Sequence, residues 1–104
     1  MINVAVLGYG TVGSGVYEVL VKNKESIAKR AGDEINVKYV LDLRDFDVPY
    51  SDKFTKDFND IINDESVSVV AEVMGGVNPA YDFVKKRIAL SFISNDVIFL
   101  PISL

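Results

Sequence analysis

Three glycines are the most chemically suggestive feature of this chain. Gly8, Gly10 and Gly13 form G-x-G-x-x-G directly after a short apolar run, Ile2 to Leu7, and directly before a segment with helical spacing. That placement suits a ligand carrying phosphates. Gly8 permits a tight turn, Gly10 lets the backbone approach a pyrophosphate, and Gly13 allows a helix to pack closely on the strand. The N–H groups at the helix start, those of Thr11 and Val12 among them, and the positive end of the helix dipole then meet the negative charge. The pattern in this context predicts dinucleotide binding; the alternative is a strand-to-helix turn that binds nothing.

A dinucleotide site of this type has a second mark, an acidic residue at the end of the second strand that accepts hydrogen bonds from the adenine ribose. Two aspartates compete. Asp33 is nearer the usual spacing of about 20 residues but lies in a polar turn before the second apolar run. Asp42 is farther along and follows that run directly, so it is the better placed. Arg44, two residues on, complicates the choice of ligand, because a guanidinium there could clamp a 2′-phosphate instead. NAD and NADP both stay open. The alternative for Asp42, Arg44 and Asp45 is a solvated polar loop.

The elements that must position these groups can be read from periodicity. Ile2 to Leu7 is a nearly continuous apolar run, as expected of a strand buried on both faces of a parallel sheet. Val12, Val16, Val19, Leu20 and Ile27 recur at helical spacing, and Gly32 is the expected stop. Ile35 to Leu41, rich in β-branched and aromatic residues, is a second strand. Residues 42–52 form a polar loop with Pro49. Phe54, Phe58, Ile61 and Ile62 predict a short helix within 53–64. Residues 67–74 make a third strand ending at Gly75 and Gly76, and Asn78 and Pro79 mark the cap and first position of another helix. Strands separated by helical segments imply parallel pairing, with ligands at the carboxyl ends of the strands, where the glycines stand.

Composition narrows the classes. The chain has 104 residues, enough for one domain with a real core. It is 49% hydrophobic and 25% charged, the balance of a folded soluble protein. A net charge of −4 without a basic stripe argues against nucleic acid. Absence of both Cys and His excludes disulfides, the usual zinc sites and Cys/His nucleophile arrangements. The amino terminus has no secretory pattern, and residues 88–104, though apolar, are broken by polar residues and Pro101, so no membrane span is expected. The default expectation is a cytoplasmic protein.

The run Val4-Ala5-Val6-Leu7-Gly8-Tyr9-Gly10-Thr11-Val12-Gly13-Ser14-Gly15-Val16 is more particular than a generic nucleotide loop and resembles the start of homoserine dehydrogenase. Val70-Ala71-Glu72-Val73-Met74-Gly75-Gly76, followed by Pro79-Ala80, resembles the family's third-strand segment and its Gly-Gly turn; Leu43-Arg44-Asp45 is also similar. The resemblance covers residues 1 to about 86 and implies an α/β, Rossmann-like three-layer fold with a mainly parallel sheet, incomplete relative to the full dinucleotide-binding domain. It implies NAD or NADP as cofactor, and an enzyme that interconverts homoserine and aspartate 4-semialdehyde on the route to threonine, isoleucine and methionine. By position, Gly8, Gly10, Thr11, Val12 and Gly13 would hold the pyrophosphate, Asp42 or Arg44 would face the adenosine ribose, and Gly75 and Gly76 would border the nicotinamide. Glu72 would orient that last turn; its alternative is a strand-end carboxylate exposed to water.

After Lys86 the resemblance stops. The family would continue to a Thr-x-Asn-Lys segment whose lysine lies near substrate; if Ser94 and Asn95 stand for it, Asp96 takes the lysine's place. No catalytic residue can be named, and the family's substrate and dimerisation region is not found. Residues 87–104 are expected to be a divergent apolar tail forming a hairpin or one added strand. A frameshift or premature stop would produce such a break, with a shortened chain or a naturally short protein as the other readings. The expected function is the cofactor-binding portion of a homoserine dehydrogenase, inactive alone; the competing reading is a nucleotide-binding regulatory or interaction module without catalysis.

Overall fold

The computed structural model describes residues 1–73 and 97–101. Among these residues five strands form one sheet: β1 (Ile2–Leu7), β2 (Ile35–Leu41), β3 (Phe54–Thr55), β4 (Val67–Glu72) and β5 (Ile98–Pro101). Their order across the sheet is β3-β2-β1-β4-β5, and every pairing is parallel. The chain thus builds outward from β1 to β2 and β3, then returns to place β4 on the other side of β1. This reversal opens a crevice at the carboxyl end of β1, the place where open parallel sheets take ligands.

The continuous apolar character of β1 is explained by its two covered faces. Val4 and Val6 pack with Val37, Val40 and Tyr17 on one side, while Ala5 and Leu7 pack with Leu41, Val70 and Ile61 on the other. Helix α1 (Thr11–Lys22) covers the first face through Val12, Val16, Tyr17 and Leu20; helix α3 (Asn59–Ile62) covers the second through Ile61 and Ile62. Helix, sheet and helix make the three layers of a Rossmann-like α/β fold. Both seams of β1 slip by one residue, so that Val4 pairs with Val37 but Ala5 with Tyr39, leaving Lys38 as an extra residue in β2.

Two helical expectations need correction. The single helix read through Ile27 is broken at Asn23, between α1 and α2 (Lys24–Ala31). The Asn23 backbone N–H makes the last helical bond of α1, to the Val19 carbonyl, while its side chain donates to the same oxygen and so competes with continuation of the helix. Gly32 ends α2 in a left-handed conformation, φ +76°, as its type suggested. The helix read within 53–64 shrinks to the four residues of α3, preceded by a 3-10 turn at Ser51–Lys53 and by β3. The cause is that Phe54 packs on the α1 face of the sheet whereas Phe58, Ile61 and Ile62 pack on the opposite face. One helix cannot serve both. The helix expected after Pro79 lies outside the described residues.

Candidate active-site region at the carboxyl end of the sheet

The glycine loop joins β1 to α1 at the crevice. Gly8 has φ +104°, a conformation that side chains rarely adopt, and its N–H donates to the Leu41 carbonyl at 2.7 Å. Gly13 lies in the first turn of α1 against this bend. A Cβ there would overlap the Gly8 carbonyl oxygen, and would come within 2.8 Å of the Gly8 carbonyl carbon and 3.1 Å of Val73 Cγ2. Gly10 differs from both: it is exposed, its φ of −84° is open to any residue, and a Cβ there would meet nothing within 4 Å. So Gly8 and Gly13 are required by the chain's own packing, while Gly10 leaves open space beside the start of α1. No side chain caps that helix. Its first-turn N–H groups, those of Thr11 and Val12 included, therefore face the crevice without a side-chain acceptor.

Asp42 follows β2 directly and reaches the loop. Its Oδ2 accepts the Tyr9 N–H at 2.9 Å and an Arg44 guanidinium N–H at 3.0 Å; its Oδ1 accepts Arg44 Nε at 3.1 Å and the Arg44 backbone N–H at 3.0 Å. Burial pushes this carboxyl up, but the hydrogen bonds from Arg44 and Tyr9 together with the Arg44 charge outweigh it and hold the group below its ordinary value. The Asp42 side chain is only 10% exposed, against 66% for Arg44. Arg44, whose guanidinium also lies over the Phe46 ring at 5.2 Å, is thus the water-exposed partner of the pair and Asp42 the buried one. Asp33 is elsewhere, in the turn before β2, paired at 3.0 Å with the Met1 ammonium. Geometry thus separates the two aspartates as their sequence positions suggested.

Glu72 ends β4 beside Leu7 and is 5% exposed, which overturns the reading of it as a water-exposed strand end. Gly75 and Gly76 lie outside the described residues. An aromatic group not singled out in the sequence gathers at the same crevice. The Tyr9 ring meets Phe46 and Phe54 edge-on, each at 4.8 Å between centroids, and its hydroxyl touches that of Tyr50. Tyr50 stacks on Tyr17 of α1 at 4.0 Å. Burial, reinforced by the Tyr9 hydroxyl, pushes the Tyr50 phenol well above its ordinary value. The sequence signal was available: Phe46, Tyr50 and Phe54 are too apolar for a loop that is merely solvated.

Among the described residues, two concavities bear on the choice of site. One of about 200 Å³ is lined by Asp42, Arg44, Phe46, Phe54 and Lys56, beside the glycine loop. A larger one, about 590 Å³, is an open hollow at the other end of the sheet, lined by Tyr39, Asn59, Asn63 and Asp64. Size alone would favour the second, but its polar groups include Tyr39 and Asp64, which bond to each other. Among the described residues, no group of three or more His, Cys, Asp or Glu is placed to hold a metal, and no helix is long and apolar enough to cross a membrane.

Comparison with known proteins gives this crevice a lineage. Homoserine dehydrogenase of Helicobacter pylori is 37% identical over 90 residues, covering 85% of this chain and 21% of that protein; that of Methylobacillus glycogenes is 39% identical over 92 residues, covering 84% and 22%. The chain is homologous to the amino-terminal portion of homoserine dehydrogenases. Solved structures agree. An S. aureus homoserine dehydrogenase at pH 6.5 superposes with a TM-score of 0.75 at 30% identity, over 96% of this chain and 25% of that one. The homoserine dehydrogenase of Thiobacillus denitrificans does so with a TM-score of 0.75 at 29% identity, over 96% and 23%. No family model matches the chain. It spans about a fifth of the length of these curated relatives.

Proposed function

We propose that this chain is the NAD(P)-binding portion of a homoserine dehydrogenase, serving reversible interconversion of homoserine and aspartate 4-semialdehyde in the biosynthesis of threonine and methionine. One observation carries the cofactor reading. Gly8 and Gly13 interlock so closely that no side chain fits between strand and helix, while Gly10 between them faces open space at an uncapped helix start. A cradle of that shape fits a pyrophosphate, held by backbone N–H groups and by the positive end of α1. Asp42 would accept the hydroxyls of the adenosine ribose once the Arg44 side chain swings out. The same swing would leave a guanidinium free to meet a 2′-phosphate, so both NAD and NADP fit the site. Gly75 and Gly76 would border the nicotinamide, and Glu72 would orient their turn.

When bound, the dinucleotide supplies the hydride chemistry. The residues of this chain bind and orient it. None of them is assigned to hold the amino-acid substrate or to move its proton, so the chain alone should turn over no aspartate 4-semialdehyde. Calorimetric titration with NAD(H) and NADP(H) tests the cofactor reading, with Gly10→Val as the control. The fold has room for that side chain, so the variant should stay folded, losing about 1 kcal/mol for the poorer helix cap, and lose binding. A folded wild-type chain that binds neither cofactor would sink the reading.

A further inference from the structure

The glycine fingerprint gives roles to its glycines and to Asp42 but treats Tyr9 as a spacer between Gly8 and Gly10. We infer that Tyr9 is a positioning residue that locks the pyrophosphate loop to the segment carrying Asp42 and Arg44, fixing the two halves of the cleft in one relative geometry. The inference rests on the cofactor reading above.

Two separate links leave this one residue. Through the backbone, the Tyr9 N–H donates to Asp42 Oδ2 at 2.9 Å. Through the side chain, the ring sits edge-on to Phe46 and Phe54, each at 4.8 Å, and its hydroxyl meets Tyr50. Tyr50 is in turn stacked on Tyr17 of α1 at 4.0 Å. The ring therefore docks among side chains from the loop after β2, from β3 and, through Tyr50, from α1.

Both segments joined by this contact need an anchor. Residues 43–50 lie outside any helix or strand, so no backbone ladder fixes them. Tyr9 is flanked by two glycines, the residues with the greatest backbone freedom. It carries the only side chain between them. Anchoring that side chain removes freedom from the loop before a ligand arrives, and a pre-organised loop binds more tightly because less order has to be imposed on binding. A ligand touching both halves gains from the lock; a ligand touching one half does not.

The test uses the full chain and two ligands. ADP-ribose spans the pyrophosphate loop and the Asp42 segment; adenosine reaches only the latter. Affinities are measured by NMR titration for the wild type, Tyr9→Phe and Tyr9→Ala, corrected for folded fraction. Tyr9→Ala should weaken ADP-ribose about tenfold and leave adenosine within about twofold, while Tyr9→Phe, which keeps the ring, should bind ADP-ribose nearly as the wild type does. Without ligand, amide exchange in Tyr9→Ala should rise together at residues 8–10 and 43–50. If Tyr9→Ala does not fold, Phe54→Leu removes one of the two close edge contacts of the ring and should give the same split between ligands to a smaller extent. A general structural defect would weaken both ligands alike. That result, or unchanged ADP-ribose affinity, overturns the positioning role and leaves the cofactor reading intact; a folded wild type that binds no ADP-ribose overturns both.

Discussion

The sheet has an aspartate at each end, and the two are satisfied in different ways. Asp64, in the turn before β4, accepts Lys38 Nζ at 2.6 Å, the Tyr39 hydroxyl at 2.6 Å, and the Ser66 hydroxyl and N–H at 2.6 and 2.9 Å. Those donors, Lys38 first, hold its carboxyl far below the ordinary range. Asp42 also has a full set of donors, but two of its bonds come from a guanidinium that is two-thirds exposed. Lys38 is less exposed, at 38%, and also donates to Ser66 at 2.8 Å. One aspartate is bound into a network that closes on itself. The other is held by a side chain that stands mostly in water and lies over the Phe46 ring, an arrangement open to competition by a ligand on the proposed reading. A count of hydrogen bonds would not tell them apart; the replaceability of the donor does.

The largest expected effect lies at the glycine-loop end. Gly13→Val places a side chain into the Gly8 carbonyl and should cost about 3 kcal/mol of stability as well as all cofactor binding, measured by thermal melting and calorimetry. Asp64→Ala should cost about 2 kcal/mol and leave cofactor affinity unchanged; a matching loss of affinity would break the contrast between the ends. Because the Asp64 carboxyl is held low in the folded chain, its contribution is complete above about pH 4 and is lost as pH falls further, so this variant should flatten the acid limb of stability.

Smaller effects sharpen the comparison. The Asp64 hydrogen bond, with some burial, pushes the Tyr39 phenol up to about 12. Its contribution is intact below about pH 10 and lost as pH rises toward 12. Tyr39→Phe should cost about 1 kcal/mol at neutral pH and remove that alkaline loss, seen in denaturant melts across pH. Arg44→Ala should change stability by less than about 1 kcal/mol, raise the Asp42 pKa in a carboxyl NMR titration, and reduce NADP affinity relative to NAD. A large loss of stability would mean that Asp42 is as closed as Asp64.

What the sequence revealed follows from which signals are local. The β1, glycine-loop and α1 unit, the bounds of β2, the stop at Gly32 and the positions of Asp33 before β2 and Asp42 directly after it were legible, because each depends on neighbouring residue types. The segment from Phe54 to Ile62 was misread because its apolar residues are shared between opposite faces of the sheet, a fact of tertiary packing. The aromatic group was legible only in part: Phe46, Tyr50 and Phe54 stand out in a polar stretch, but Tyr9, Tyr17, Phe46 and Tyr50 have no common period, and only the fold brings them together. The extra residue at Lys38 was equally invisible, although it lies next to Tyr39 and both contact Asp64.

The parallel order of the strands also bears on how the molecule forms. Val4 in β1 pairs with Val37 on one side and Val69 on the other, and Val69 pairs in turn with Ile98. None of these partners is close along the chain, and topologies of this kind fold slowly, because long loops must close before any contact is gained. The strand that ends in the glycine loop is the earliest to leave the ribosome, yet it is enclosed on both sides only after β4 has been made. Until then Val4 to Leu7 keep an open edge, and the order of synthesis gives the centre of the sheet the longest wait between being made and being enclosed.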